Sequence, residues 1–113
     1  MERVLGDLVR DADLGDAVID GDPSVVVTSV AHDSRAVAVG ALFCCLPGAH
    51  VDGHQHAAAA VEAGAVALLV ERRLDVAVPQ VVVPDSRRAM GHVAAAFWGH
   101  PARSLVMVGV TGT

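Results

Sequence analysis

Three polar segments carry side chains whose type and spacing could do chemistry. The first, His32-Asp33-Ser34-Arg35, follows a β-branched run. There Ser34 can donate and accept, Arg35 can pair with an anion or carboxylate, and Asp33 can organise the loop through backbone hydrogen bonds. The same four residues also allow a plain Asx turn in which Asp33 pairs with Arg35 and nothing binds. The second segment, Pro47-Gly48-Ala49-His50-Val51-Asp52-Gly53, leads into an alanine-rich stretch. Outward-facing N–H groups at a helix start would suit a phosphate, a carboxylate or the carbonyls of a base, with His50 adding a hydrogen bond, unless Asp52 already satisfies that helix end. The third segment is Val108-Gly109-Val110-Thr111-Gly112-Thr113. An apolar strand running into Gly-x-x-Gly is how a phosphate-binding loop begins, because glycines let backbone N–H groups approach phosphate.

Other groups offer less. His54 and His56 lie one residue apart, face different ways, and cannot both ligate one metal; solvent or helix-cap roles are expected. Cys44 and Cys45 are adjacent, so in a strand they point to opposite faces, and two buried structural thiols are expected.

Composition narrows the chemistry further. The chain has 113 residues, 53% apolar, with all eight basic residues arginine and no lysine. That excludes a Schiff-base lysine, and any nucleotide site supplying its own P-loop lysine, from these residues. The net charge is -5, with seven of the thirteen acids in residues 1–22 and the remainder neutral. The acidic lead reads as a solvated face, and no basic cluster suits a nucleic-acid partner. Apolar runs fall far short of the roughly 18 residues of a membrane span and no signal sequence opens the chain, so a cytoplasmic protein is expected.

The elements that must position these groups alternate between strand and helix. A short helix is expected from Val4 to about Val9 as an edge piece, then a turn or short strand near Val18 and Ile19. Val25 to Ala31 and Ala41 to Leu46 read as strands. Asp52 and Gln55 resemble a capping box for a helix from His54 to Ala63, with Gly64 as a left-handed cap. Val66 to Val70 and Gln80 to Val83 are further strands. Pro84-Asp85-Ser86 opens a helix whose Met90, Val93, Ala94, Phe97 and Trp98 form an apolar stripe, stopped by Gly99-His100-Pro101. Leu105 to Val110 is a last strand. The fold class is α/β, an open and mostly parallel sheet flanked by helices, in which ligands collect beyond the carboxyl ends of strands.

Taken in order, Asp33-Ser34-Arg35, Gly40-Ala41-Leu42-Phe43, Pro47-Gly48, Asp52-Gly53-His54, Gly64-Ala65, Val70-Glu71, Pro84-Asp85-Ser86-Arg87, Phe97-Trp98-Gly99-His100-Pro101 and Gly109-Val110-Thr111-Gly112-Thr113 closely resemble the N-terminal domain of the Mur ligases. The tripeptide-synthetase branch fits best, and the resemblance runs from about Val26 to Thr113. It implies an ATP- and magnesium-dependent ligase of peptidoglycan biosynthesis. Such enzymes phosphorylate the D-glutamate carboxylate of a UDP-linked muramoyl dipeptide, and the amine of a diamino acid (meso-diaminopimelate or L-lysine) then displaces phosphate.

The resemblance also assigns residues. Substrate contacts carry over to His32, Ser34, Ala49, His50 and Val51, supported by Asp33, Arg35, Asp52 and Gly53. His32 stands where the family often has an apolar or hydroxyl residue, so its contact is expected through backbone only. Thr111, Gly112 and Thr113 match the first part of the ATP loop. The expected organisation is a UDP-substrate domain over 1–104, with 105–113 beginning a central ATPase domain. The resemblance places no catalytic residue and no metal ligand in this chain, which alone is expected to be inactive and monomeric. Two other readings stay open: the related ligase that adds D-Ala-D-Ala, and a stand-alone uridine-nucleotide-binding module.

Overall fold

The computed structural model describes residues 2–47 and 53–98. Seven strands and three helices appear among them: β1 (Arg3–Val4), α1 (Leu5–Ala12), β2 (Val18–Asp20), β3 (Val26–Val27), β4 (Ser29–Ala31), β5 (Ala41–Cys44), α2 (Ala57–Glu62), β6 (Ala67–Val70), β7 (Gln80–Val82) and α3 (Ser86–Phe97). Five strands form one sheet in the order β2-β7-β6-β5-β4, parallel throughout except for β2, which runs antiparallel to β7. The expected open, mostly parallel α/β sheet is therefore present. β1 and β3 make a separate antiparallel pair.

Alternation along the strands divides the core in two. Leu42, Cys44, Ala67, Leu69, Val81 and Val83 face α1 and α3, meeting Leu5, Leu8, Val93 and Phe97. Phe43, Cys45, Leu68 and Val70 face the other way, against Ala57 and Ala60 of α2 and the apolar residues of the 71–79 connection. That connection has no helix of its own. Instead the buried Gln80 amide holds it, donating to the Leu74 carbonyl (2.7 Å) and accepting from the Leu74 N–H (2.6 Å).

The helix ends show how local sequence fixes each element. Asp85 caps α3, its carboxylate accepting from the Arg88 N–H at 3.1 Å. α2 closes in a Schellman motif: the Gly64 N–H donates to Val61 O and the Ala65 N–H to Ala60 O, with Gly64 at φ +117° as the sequence predicts for this glycine. Gly64 is doubly constrained, because a Cβ there would lie 2.7 Å from the Val39 Cα. At the other helix end, Arg3 donates to the Ala96 carbonyl of α3 at 2.8 Å, placing a cation where the helix is negative.

Five expectations change. The Val25–Ala31 run is two strands, because Thr28 switches partners there: its N–H bonds Gly40 O and its hydroxyl bonds Val39 O. α1 is no edge piece; the expected face of Leu5, Leu8 and Val9 packs on the core, extended by Ala12, with Leu5 and Leu8 fully buried, while Val4 belongs to β1 and is exposed. The helix expected from His54 begins as a 3-10 turn over Gly53–His56 and becomes α-helical only at Ala57. The α3 stripe is Ser86, Ala89, Val93, Ala96 and Phe97, leaving Trp98 exposed at the helix end, edge-on to Phe97. The acidic lead is also less purely solvated than expected, with Asp11 paired to Arg3, Asp7 to Arg10 and Asp20 to Arg73. Residues 99–113, including the stop after α3 and the expected strand from Leu105, lie outside the described residues, as does the Asp52 cap.

Leu8→Ala should cost about 2–5 kcal/mol in urea unfolding, as for a fully buried leucine, while Val4→Ala should change stability by less than about 0.5 kcal/mol. Gly64→Ala should destabilise by about 1–3 kcal/mol through its positive φ and the crowding at Val39.

Candidate functional site

The parallel strands end on one edge of the sheet, and all but β5 are followed directly by a polar group. β4 runs into His32-Asp33-Ser34-Arg35, β5 into Leu46 and Pro47, β6 into Glu71, and β7 into Pro84-Asp85-Ser86-Arg87. Beyond the ends of β4 and β5 lies a cavity of about 580 Å3, lined by all four residues of the first segment together with Phe43, Leu46, His56 and Arg87.

Within the first segment both alternatives are partly realised. Asp33 forms the Asx turn: its Oδ1 accepts from the Arg35 N–H at 2.9 Å and from Arg35 Nε at 3.1 Å, and its Oδ2 accepts from Nη2 at 2.9 Å. A short 3-10 turn over Ser34–Ala36 follows, closed by the Ala36 N–H on Asp33 O. The side-chain hydrogen bonds from Arg35, and next its backbone N–H, hold the Asp33 carboxyl down to about 2. The pairing does not close the cavity. It fixes the turn that carries Ser34, and it offsets the charge of Arg35.

Arg87 brings a second guanidinium from across the cavity. It sits in the first turn of α3, and its Nη2 donates to the Pro47 carbonyl at 2.9 Å. A carbonyl does not neutralise it, so the lining carries two guanidinium groups against one carboxylate, beside the apolar Phe43 and Leu46. Such a surface suits an anionic ligand with a flat or apolar part. The start of α3 is not itself free for an anion. Asp85 accepts from the Arg88 N–H, and Glu71 Oε2 accepts from the Ser86 N–H (2.8 Å) and hydroxyl (3.0 Å).

The two histidines separate as their spacing implied, with one correction. His54 has no solvent role: it is buried, and its Nε2 accepts from the Glu71 N–H at 2.9 Å, because the 3-10 turn points it back at the end of β6. His56 stands at the N-cap position of α2 without capping through its side chain, and lines the cavity. Cys44 and Cys45 are buried on opposite faces as expected. Burial, and next the neighbouring Cys45, pushes the Cys44 thiol up to about 12, which leaves it unreactive.

Of the residues expected to bind substrate, the structure brings His32 and Ser34 together with Asp33 and Arg35. Gly53 opens the turn that carries His56. Ala49, His50, Val51 and Asp52 lie outside the described residues, as do Thr111, Gly112 and Thr113. Sequence reasoning missed Phe43, Leu46, His56 and Arg87 as lining. Arg87 was within reach of the strand-end rule applied to β7, whereas Phe43 and His56 had no local signal. No group of three His, Cys, Asp or Glu that could hold a metal occurs among the described residues, and none of their helices is long and apolar enough to cross a membrane.

Because its folded pKa is depressed, Asp33 contributes stability above its ordinary value of 3.8 that is lost as pH falls toward about 2. Carboxyl NMR titration should find its midpoint near 2, and Arg35→Ala should return it toward 3.8.

Comparison with known proteins bears on this site. Residues 26–98 match the family described as "Mur ligase family, catalytic domain". Over 93 residues the chain is 55% identical to the UDP-N-acetylmuramoyl-L-alanyl-D-glutamate--2,6-diaminopimelate ligase of Geobacillus thermodenitrificans, covering 82% of this chain and 19% of that one. It is 49% identical over 90 residues to the ligase of the same name from Listeria monocytogenes, covering 80% and 18%. The MurF structure from Acinetobacter baumannii superposes with a TM-score of 0.70 at 29% identity, over 80% of this chain and 20% of that one. The chain thus spans about a fifth of the length of the relatives it matches. On the family match, which covers well over half of its residues, the chain belongs to the Mur ligase family.

Proposed function

We propose that this chain is the UDP-substrate-binding domain of an ATP-dependent ligase that adds a diamino acid to UDP-N-acetylmuramoyl-L-alanyl-D-glutamate in peptidoglycan biosynthesis. The observation that carries the branch is the contrast in identity. Relatives named as 2,6-diaminopimelate ligases reach 49% and 55%, whereas the D-alanyl-D-alanyl-adding neighbour stands at 29%. The name these relatives carry, 2,6-diaminopimelate ligase, favours meso-diaminopimelate over L-lysine as the amino acid added.

In this reading the cavity beyond β4 and β5 takes the UDP end of the substrate. Ser34 offers a hydroxyl to uracil or ribose, His32 contributes through its backbone, and Ala49, His50 and Val51 complete the contacts. The cationic surplus of the lining suits the diphosphate, and Phe43 and Leu46 suit a flat ring. Asp33, Arg35, Asp52 and Gly53 shape the two loops. ATP supplies the phosphoryl group that activates the D-glutamate carboxylate, with magnesium, in the parent enzyme. Thr111, Gly112 and Thr113 form the first part of its loop, and residues 105–113 belong with that central domain rather than with 1–104. By itself the domain binds and does not catalyse. It works in the cytoplasm, as a monomer and without a nucleic-acid partner.

The full-length gene product, given UDP-N-acetylmuramoyl-L-alanyl-D-glutamate and a diamino acid, should release ADP only when both are present; absence of ADP release with either diamino acid would overturn the assignment. In that enzyme Ser34→Ala should raise KM for the UDP substrate about tenfold and leave kcat within about twofold, because the hydroxyl lies at the UDP end and contributes binding common to ground and transition states.

A further inference from the structure

The cavity wall is held by a set of bonds that do not themselves face the cavity. Glu71, the residue after β6, links two neighbouring elements. Its N–H donates to His54 Nε2 at 2.9 Å, tying down the 3-10 turn that carries His56, and its carboxylate accepts both the N–H and the hydroxyl of Ser86 at the start of α3. One residue further along α3, Arg87 reaches the Pro47 carbonyl. The last ladder bond of β5 is made by the Cys45 N–H to Leu69 O, and proline has no N–H to add another. The Arg87 bond therefore holds the chain where it leaves the sheet. Together these contacts pin both flanks of residues 48–52, at Pro47 and at His54, to the first turn of one helix.

The bonds are well suited to the task. Ser86 is 0% exposed, so loss of the Glu71 carboxylate takes the acceptor from a buried N–H and hydroxyl, and the accepting His54 is buried as well. The Glu71 carboxylate makes two charge-assisted bonds through one oxygen, and Asp85 independently caps the same helix, so α3 is a rigid anchor. Glu71 is absent from the cavity lining, while Arg87 belongs to it.

We propose that Glu71 and Arg87 are positioning residues for the bound ligand: the Glu71–Ser86–His54 bonds and the Arg87–Pro47 bond form a brace that sets the cavity wall from α3. The proposal rests on the reading of the cavity as a uridine-nucleotide site, and its chemistry separates the two roles open to Arg87. A brace fixes the wall for every ligand, whereas a direct phosphate contact helps only ligands that carry phosphate.

Calorimetric titration of the 113-residue chain with UDP and with uridine, in wild type, Glu71→Ala, Glu71→Gln and Arg87→Met, tests it. Glu71→Ala should weaken both ligands by the same factor, about tenfold, and Arg87→Met should weaken uridine about tenfold and UDP by at least as much, whereas Glu71→Gln, which keeps an acceptor oxygen, should stay within about twofold of wild type. Should Glu71→Ala not fold, Ser86→Ala removes one of the two bonds and should show the same trend at about threefold. Unchanged affinity in the alanine and methionine variants would overturn the brace, and a loss for UDP alone in Arg87→Met would reassign Arg87 as a phosphate ligand. Amide hydrogen exchange gives a ligand-free reading: Arg87→Met should accelerate exchange in peptides covering residues 44–47, and Glu71→Ala, which frees residue 71 from α3 while its N–H stays on His54, in peptides covering residues 53–58, each at least tenfold, with β2 unchanged. A wild type that binds neither ligand would defeat the uridine-site reading; accelerated exchange would then still uphold the brace, and unchanged exchange would defeat it as well.

Discussion

The sheet is buried on both faces, and most of what the molecule can do follows from that constraint. Every residue of β5 and β6 is shielded from solvent, with α1 and α3 on one side and α2 and the 71–79 connection on the other. Such strands can carry only apolar side chains and backbone groups paired in the ladder. Even Cys44, reactive in kind, is held inert there. Polar chemistry is left to the residues just past each strand, and because four strands run parallel, those residues gather on one edge.

On that edge the charges are arranged with an asymmetry that matters for binding. The start of α3 offers what is often an anion site, yet two carboxylates from Asp85 and Glu71 already occupy its N–H groups. The positive character of the cavity comes instead from guanidinium groups on either side, one paired with Asp33 and one resting on a neutral carbonyl. The helix thereby acts as a fixed support, and the positive charge of the lining sits on arginine side chains rather than on helix N–H groups.

Much of the fold was legible because its signals are local. The β-branched runs, the Asp85 cap, the Gly64 Schellman close and the alternation of Cys44 and Cys45 each depend on a few consecutive residues. The misreadings arise where a distant partner decides. Thr28 divides an apparently continuous strand because Gly40 and Val39 compete for its backbone and hydroxyl. His54 looks like a surface histidine in an alanine-rich stretch, and is buried because the end of β6 supplies a donor seventeen residues away. The α3 stripe rotates by about a residue because the helix packs on α1 as well as on the sheet.

Residue order alone thus determined the alternating α/β plan, the family resemblance, and the polar His32–Arg35 turn that ends a strand, since each rests on spacing within a short window. Only the tertiary structure decided that Arg87 and His56 share that turn's cavity, and that Glu71 ties the flanking elements to one helix. Those contacts span 15 to 40 residues of chain, and hydrogen bonds of that reach leave no periodic trace in a sequence.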